Sequence, residues 1–277
     1  MNFDPFEPAH AAEVPADVAE ALAWTRAERG CFGATLFYAL QAGSTNDAAA
    51  RLAEAGATEG TTVVAESQSA GRGRHGRMWA SPAGAGLYVS TIVRPDRTGP
   101  MARNTAAVTL MAGVALADAV REATGLVVEI KWPNDLMVER RKLAGILAEA
   151  SAVGTELEYI VLGFGINIRQ AAYPPDVAAR ATSLEAELGR PVDRGAVLAR
   201  ALVNLAQGRI ALAQGQLGAI LDRWRALAPS AVGAPIEWQV GESVRRGRTA
   251  GLDRDGALLV EVPTGIERVA AGEIVWL

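Results

Sequence analysis

The chain has 277 residues, half of them apolar and 21% charged, which is typical of a folded globular protein and not of a disordered one. This length exceeds the roughly 150 residues of a typical domain, so we expect two unequal domains or one large one. Its 27 basic and 31 acidic residues give a net charge of −4, which disfavours a free-standing nucleic-acid-binding protein. One cysteine and two histidines exclude an internal disulfide framework and a His/Cys zinc cluster.

The sequence contains no predicted targeting or membrane segment. Its N-terminus is acidic and interrupted by proline, unlike the basic segment and apolar run of a signal peptide. The longest mildly apolar stretch, residues 105–120, carries Asp118 and falls short of the roughly 18 apolar residues of a membrane span. We therefore expect a cytoplasmic protein that does not contact a membrane.

The predicted elements of the first half end in an unusual loop. In chain order they are a helix at residues 17–28, a strand at 35–40, a helix that a capping box at Ser44-Thr-Asn-Asp47 opens and that ends at 55, and strands at 61–66 and 87–94. The segment before residue 34 has room for one helix and not for a three-helix winged helix-turn-helix domain. The Gly- and Arg-rich loop between the last two strands is too long and irregular for a simple hairpin.

The second half predicts a mixed α+β domain followed by a small β domain. The pattern indicates an amphipathic helix ending at 125, strands at 127–132, 136–138, 142–149 and 159–167, and a helical region at 194–227. The last ~45 residues alternate short β-runs with turn signals, which is typical of a small antiparallel barrel. We accordingly divide the chain into an N-terminal extension with one helix, a main domain and a C-terminal domain, at residues 1–33, 34–229 and 230–277.

The motif Gly71-Arg-Gly-Arg-His-Gly76 has the spacing of a dinucleotide-binding fingerprint, and Asp96 lies twenty residues after its last glycine. That fingerprint must open a helix, but the next ten residues contain one proline and two glycines, so we reject this interpretation. An arginine-glycine arm for nucleic acid is a second interpretation. Because the motif lies between two strands of an acidic protein, we favour a loop that closes over one small polyanion, which guanidinium groups bind bidentately.

Two further motifs carry polar groups or bare backbone. Lys131-Trp-Pro-Asn-Asp135 places an amide and a carboxylate at the end of a strand, and alone it would be an ordinary β-turn. Lys131 and Lys142 are the only lysines of the chain. We interpret their closeness as a requirement of the site for compact ammonium groups, and the alternative explanation is codon bias together with chance. With the arginines and the carboxylate, the two lysines suit a site that handles phosphates with a metal. Glycines within a strand, at Gly163-Phe-Gly-Ile-Asn167, indicate a bulge or a close ligand.

Together these motifs resemble those of biotin protein ligases. The resemblance runs from about residue 40 to the C-terminus, and the motifs that carry it have the order and spacing of that family. These motifs are Ser44-Thr-Asn46, Gln68-Ser-Ala-Gly-Arg-Gly-Arg-His-Gly-Arg-Met-Trp79, Lys131-Trp-Pro-Asn-Asp135, Arg141-Lys-Leu-Ala-Gly-Ile-Leu147 and Gly163-Phe-Gly-Ile-Asn167. It implies an α+β fold: a mixed β-sheet catalytic domain with helices, similar to class II synthetases, and a C-terminal SH3-like β-barrel. His75 and Met78 depart from the family pattern, where a basic or charged residue is frequent.

The resemblance implies a two-step acyl transfer that uses ATP and Mg²⁺ with biotin as the substrate. The biotin carboxylate attacks the α-phosphate of ATP and gives biotinyl-5′-AMP and pyrophosphate, and a lysine of the biotin carboxyl carrier protein of acetyl-CoA carboxylase then displaces AMP. Since little chain precedes Ser44, we expect no DNA binding and no repressor activity. A homodimer is an open expectation, because members of the family often pair through the sheet.

The resemblance also assigns roles to individual residues. Biotin is expected to contact Ser44, Thr45, Asn46, Gln68, Gly71, Arg72, Gly73, Arg74, Lys142, Gly145 and Gly163. The nucleotide is expected to contact Arg74, Arg77, Met78, Trp79, Lys131, Asn134 and Asn167, with Trp79 stacked on adenine. The expected catalytic residues are Arg74, Lys131, Asp135 and Lys142, of which Asp135 serves the metal or the incoming lysine.

Two other functions compete with this interpretation. A lipoate–protein ligase shares the adenylation logic but lacks the arginine-glycine run in this form. A non-catalytic sensor of biotin or nucleotide would not need Lys131, Asp135 and Lys142 together.

Overall fold

The computed structural model describes residues 12–95, 105–154, 156–171 and 175–277. The helices there are α1 Ala16–Trp24, α2 Arg26–Arg29, α3 Thr45–Glu54, α4 Thr105–Thr124, α5 Pro175–Ala178, α6 Leu184–Leu188, α7 Arg194–Ala213 and α8 Leu217–Leu227. The strands are β1 Leu36–Ala39, β2 Thr62–Ala65, β3 Gly86–Val93, β4 Glu129–Lys131, β5 Asp135–Val138, β6 Arg141–Val153, β7 Glu156–Asn167, β8 Val232–Val240, β9 Ser243–Leu252, β10 Leu258–Val262, β11 Gly265–Val269 and β12 Ile274–Trp276.

These strands form two sheets and confirm the predicted α+β class. The larger is a seven-stranded mixed sheet in the order β1-β2-β3-β7-β6-β5-β4, in which β1 and β2 are parallel and the other neighbours antiparallel. The smaller is a five-stranded antiparallel sheet in the order β11-β10-β9-β8-β12, formed entirely by the C-terminal segment. The central strands β6 and β7 form a long hairpin in which Gly145 pairs with Gly165.

The larger sheet is covered on both faces, which accounts for the near-continuous burial of β3 and β7. The main core lies between one face and the helices α1, α4, α7 and α8. On the other face α3 packs against β2, β3 and β7 through small side chains such as Ala48, Ala49 and Ala53. Because alanines allow a close approach of helix and sheet, the N-terminal end of α3 lies directly beside the glycines of β7.

The N-terminal segment differs from the single-helix extension that we predict. The helix is interrupted at Thr25, whose Oγ1 donates to the Ala21 carbonyl, and α2 is a separate turn. Val18 and Leu22 lie in the main core, and α1 packs on α7. The described residues before 34 are therefore part of the main domain, whereas residues 1–11 of the predicted extension lie outside the described residues.

One local prediction in the main domain is wrong and another is confirmed. Ser44 is the N-cap residue of α3, but its side chain forms no capping hydrogen bond, because the first turn of this helix faces a polar cleft. The helical region predicted at 194–227 has the predicted bounds and consists of two helices, α7 and α8, between which Gly215 has a left-handed φ of +73°.

The C-terminal sheet begins at Val232, close to the predicted boundary at residue 229, and packs against the main domain. Trp132 Nε1 donates to the Gly256 carbonyl over 3.1 Å, and Arg225 donates to the Leu252 carbonyl over 3.2 Å. Buried residues of both sheets belong to one continuous core. The smaller sheet is thus held in a fixed position beside the β4–β5 turn.

One described helix, α7, is long and apolar enough by composition to cross a membrane. Just over half of its most apolar window is buried inside the molecule, where it packs along α4 and α1. That packing is what a core helix of a folded domain requires.

Candidate active site

A cleft of about 870 Å³, including its open mouth, lies over the β6–β7 hairpin. Its walls are the first turn of α3, the loop between β2 and β3, the β4–β5 turn and Glu273 from the smaller sheet. The cleft brings together sixteen of the residues that the sequence predicts: Ser44, Thr45, Asn46, Gln68, Arg72, Gly73, Arg74, Arg77, Met78, Trp79, Lys131, Asn134, Asp135, Lys142, Gly145 and Gly163.

The floor of the cleft is strand backbone without side chains. A Cβ added at Gly165 would lie 2.5 Å from the indole Nε1 of Trp79, and one added at Gly145 would lie 3.0 Å from the same ring. Trp79 therefore lies directly on these two paired glycines, and its Nε1 is buried without a hydrogen-bond partner in the described part of the chain. A Cβ added at Gly163 would overlap Asn46 Oδ1. The glycines predicted to mark a close approach thus seat the side chains that line the site.

One end of the cleft carries a buried polar network at the start of α3. Gln68 Oε1 accepts from Thr45 N over 2.8 Å and lies 3.1 Å from Thr45 Oγ1, while its Nε2 donates to Ser81 Oγ over 2.9 Å. Ser90 Oγ, on β3, lies 2.6 Å from Asn46 Oδ1 and 2.8 Å from Thr45 Oγ1. The network fixes Thr45 and Asn46 against the glycine floor.

This polar end has more acceptors than donors. The oxygens of Gln68 and Asn46 face the two hydroxyl groups of Thr45 and Ser90, so three oxygen–oxygen contacts share only two hydroxyl hydrogens. Gln68 Oε1 also accepts from Thr45 N, so each of these oxygens has a partner, but their remaining lone pairs can accept a further hydrogen bond from N–H groups of a ligand. The chemistry of this end therefore fits a ligand head group with N–H groups.

The arginine-glycine loop forms no helix, as expected, and is attached to both domains. Its residues Arg74–Gly76 form a single 3₁₀ turn in which His75 has a left-handed φ of +55°. Arg74 Nη1 donates to the Gly272 carbonyl over 3.1 Å and to Asn134 Oδ1 over 3.4 Å. Arg77 pairs with Glu273 over 2.6 Å. The loop is thus joined to the smaller sheet by two arginines.

Both lysines of the chain lie in the cleft. Lys142 Nζ pairs with Asp135 Oδ1 over 2.7 Å and lies 5.3 Å from the ring centroid of Trp79. Lys131 Nζ lies 5.2 Å from the ring centroid of Trp276, a cation–π contact from the smaller sheet. Although arginine is the usual basic residue of this chain, ammonium groups occupy these two positions.

Two of the cleft cations have no carboxylate partner. Among the described residues Arg74 and Lys131 form no salt bridge, and burial lowers the pKa of both, although Asp135 and Glu273 oppose that shift. The neighbouring cations Lys142 and Arg77 lower the pKa of Lys131 further. A bound anion would relieve both effects, because an opposite charge within a few ångströms favours the charged form.

The structure places Gly71 and Asn167 outside the cleft lining, unlike the prediction from their motifs. Gly71 is buried behind the wall, where a Cβ would lie 2.6 Å from the Trp79 carbonyl, so it allows the loop to pack beside Gln68. Asn167 is buried, and its Nδ2 donates to the Thr182 carbonyl over 2.9 Å. It joins the end of β7 to the segment before α6, and its contact with the nucleotide stays a prediction.

Comparison with known proteins places this geometry in a family. Residues 38–167 match the model of the Biotin/lipoate A/B protein ligase family, and residues 233–276 match that of the biotin protein ligase C terminal domain. The chain is 34% identical over 244 residues to the bifunctional ligase/repressor BirA of Bacillus subtilis strain 168, covering 87% of this chain and 74% of that protein. The chain belongs to the biotin protein ligase family.

Two further similarities extend over almost the whole of the compared proteins. The biotin–[acetyl-CoA-carboxylase] ligase of Paracoccus denitrificans is 34% identical over 83% of this chain and 96% of its own length. The biotin protein ligase of Aquifex aeolicus in complex with biotin and ATP superposes with a TM-score of 0.76 at 28% identity, over 88% of this chain and 99% of that one. These similarities confirm the predicted resemblance and the second, C-terminal domain.

The motif-based prediction omits several residues at or behind the cleft, among them Glu273, Ser90 and Glu149. Glu273 contacts Arg77 across 196 residues of sequence, and no local pattern predicts such a pairing. Ser90 lies in the apolar strand β3, where nothing in the neighbouring sequence distinguishes it from an ordinary strand residue. Glu149 follows the Lys142–Leu147 motif by two positions, so the alternation of β6, which places it on the same face as Gly145 and Leu147, is a signal that could have found it.

Proposed function

We propose that the chain attaches biotin to a lysine of the biotin carboxyl carrier protein of acetyl-CoA carboxylase, through biotinyl-5′-AMP formed from ATP. The observation that best supports this proposal is a pair of partly buried cations, Arg74 and Lys131, which have no carboxylate partner among the described residues and lie beside an acceptor-rich polar end. A cyclic urea supplies two N–H donors for the polar end, and a carboxylate with a triphosphate supplies the anions for the cations. One cleft can therefore hold both reactants.

In the first step a biotin carboxylate oxygen attacks the α-phosphorus of ATP, the new O–P bond forms, and the bond to pyrophosphate breaks. Both reactants are anions, so the barrier is lowered chiefly by holding them together and neutralising their charge. Lys142 would bind the reacting oxygens, and Arg74 and Lys131 would bind the phosphates. Trp79 covers the glycine floor and offers a flat surface and one N–H donor.

In the second step the amine of the carrier lysine attacks the anhydride carbonyl, an amide bond forms, and AMP leaves with the bonding electron pair. The amine must lose a proton, and Asp135 is a carboxylate within the cleft that could accept it. The arginine-glycine loop would retain the anhydride in the meantime by excluding water.

Mg²⁺ would be bound chiefly by ATP. Within the described residues no three His, Cys, Asp or Glu side chains form a cluster that could hold a metal ion. Mg²⁺ is commonly held by one carboxylate together with substrate phosphates, and Asp135 fits that limited role. The ion would supply further charge neutralisation at the phosphates.

The biological setting is part of the same proposal. We place the reaction in the cytoplasm. The carrier protein would approach the open mouth of the cleft, where Met78 is 84% exposed. Sedimentation of the purified chain decides between a monomer and a dimer that pairs through its sheet.

The test is the exchange of labelled pyrophosphate into ATP by the purified protein, with Mg²⁺ and with biotin, lipoate or no acid. Exchange with biotin alone is expected. Exchange with lipoate alone would keep the mechanism and change the substrate. Absence of exchange with either acid, in a folded sample, would contradict the proposal.

A further inference from the structure

Glu149 is a carboxylate at the polar end of the cleft to which the two-step reaction assigns no role. Its Oε2 accepts from Asn46 Nδ2 over 2.6 Å and from Arg72 Nη2 over 2.9 Å. One donor belongs to the start of α3 and the other to the arginine-glycine loop. A single carboxylate oxygen on β6 thereby joins two separate walls of the cleft.

The contact with Asn46 decides which way its amide points. The two orientations of an amide fill the same space, and its neighbours select between them. Donation from Nδ2 to Glu149 turns Oδ1 towards Ser90 and the α-carbon of Gly163. The reverse orientation would set a carbonyl oxygen against a carboxylate and would present an N–H to the ligand end. Since Asn46 is only 5% exposed, water cannot readily replace the lost partner.

The contact with Arg72 holds the loop from both sides. Arg72 Nη1 pairs with Asp47 over 2.6 Å, and Nη2 pairs with Glu149. Burial alone would lower the pKa of Arg72, but the hydrogen bonds to Glu149 and Asp47 outweigh it and raise that pKa. The guanidinium thus connects the loop to α3 through Asp47 and to β6 through Glu149.

We propose that Glu149 is a positioning residue for biotin, with two separable effects. It fixes the acceptor face of Asn46 that receives a ligand N–H, and with Asp47 it holds Arg72 so that the loop stays closed over the acyl-adenylate. This inference rests on the proposed function. Glu149 touches no reacting atom and acts only through Asn46 and Arg72.

The first test compares Glu149→Met with Glu149→Gln by biotin-dependent pyrophosphate exchange. Both substitutions keep the length of the side chain, but only Gln keeps an oxygen that can accept from both donors. We expect Met to raise the KM for biotin about tenfold, the loss expected for a charge-assisted hydrogen bond, and Gln to raise it less than about threefold. The KM for ATP should stay within about twofold in both. A role in packing alone would affect the two variants equally, and that result would overturn the proposal.

A second test separates the two effects and does not depend on the Met variant being folded. Asp47→Asn weakens the Arg72 contact and leaves the Glu149–Asn46 contact in place, so we expect release of biotinyl-AMP to be about threefold faster, with a smaller rise in the KM for biotin than Glu149→Met causes. Glu156→Gln, at the exposed end of the same hairpin, is the matched control for removing a negative charge. An unchanged release rate in Asp47→Asn would overturn the role of the carboxylates in closing the loop.

Pyrophosphate exchange by the wild-type protein shows whether a negative result contradicts only this inference or also the proposed function. If the wild type shows no biotin-dependent exchange, both are contradicted. If the wild type exchanges and Glu149→Met matches it in biotin KM and in release of biotinyl-AMP, only the inference is contradicted.

Discussion

At the scale of single residues, the cleft differs from the rest of the surface in how its charges are paired. Surface arginines such as Arg245 and Arg268 face carboxylates, whereas Arg74 and Lys131 are partly buried without one. Keeping a cation in that state is unfavourable in the free protein and becomes favourable when an anion binds. These two positions are therefore the ones at which a charge change should affect ATP more than stability.

Lys131 predicts a pH dependence. Because burial lowers its pKa below the ordinary 10.5, the ammonium loses its proton at a lower pH than an exposed lysine would. We expect kcat/KM for ATP to fall as the pH rises through this lowered pKa, because the neutral amine no longer binds phosphate. Pyrophosphate exchange measured against pH checks this, and Lys131→Arg, which stays charged, should move the decline to higher pH. A decline at the same pH in both proteins would assign it to another group.

Arg74 predicts an effect on the retention of the intermediate. Arg74→Gly removes the hydrogen bonds to the Gly272 carbonyl and to Asn134, so the loop should open and release biotinyl-AMP. We expect the variant to biotinylate lysines of an added non-target protein severalfold more than the wild type, as measured by streptavidin blotting. Selectivity equal to that of the wild type would contradict this prediction.

At the scale of elements, β7 works as a floor because its glycines alternate. Gly163 and Gly165 lie on the same face of the strand, and each seats one side chain of the cleft, Asn46 and Trp79 respectively. Neither glycine has a left-handed φ, so the backbone conformation there suits any residue. The requirement is for space and not for conformational freedom.

Gly165→Ala should therefore damage the site and leave the fold intact. The new methyl group would displace the Trp79 ring, and we expect kcat/KM to fall by about tenfold or more with only a small change in Tm. Gly218→Ala on α8 is a suitable control, because nothing lies within 4 Å of its added Cβ, and it should raise stability by up to about 1 kcal/mol without changing activity. Normal kinetics in Gly165→Ala would show that the position of Trp79 is unimportant.

The sequence predicts elements and motif residues well where the signal is local. The apolar runs of β3 and β7 and the periodicity of α4 predict these elements to within a few residues. The capping hydrogen bond of Ser44 is absent although Ser44 lines the cleft as predicted, because a capping pattern and a cleft-facing polar turn have the same residue types. The hydrogen bond of Asn167 to the Thr182 carbonyl could not be predicted, because membership of a motif does not tell whether a side chain faces the ligand or supports the wall from behind.

At the scale of the whole molecule, the C-terminal segment supplies part of the site, from strand β12 and the loop that precedes it. Glu273 lines the cleft, the Gly272 carbonyl accepts from Arg74, and Trp276 lies under Lys131. The Trp132–Gly256 hydrogen bond and the shared core fix the position of the smaller sheet against the main domain. We therefore expect the binding of ATP to depend on the packing of the two sheets.

Glu273→Gln should weaken this coupling without unfolding either sheet. The Arg77–Glu273 pair is partly exposed, so its loss is worth little, and we expect the KM for ATP to rise about two- to fivefold while the KM for biotin is unchanged. Glu267→Gln breaks a comparable pair with Arg245 on the far side of the same sheet and serves as the control. Equal KM values for ATP in the two variants would exclude a role for Glu273 in binding ATP.

The position of the two lysines also bears on the fate of the enzyme itself. A mixed anhydride acylates whichever amine it meets, and for most proteins the nearest amines are the lysines of their own surface. Here the only two lysine side chains lie within the cleft, one paired with Asp135 and the other over Trp276. Intermediate that escapes thus finds no lysine on the exterior of the chain that formed it. Self-labelling of lysine side chains is therefore confined to the cleft.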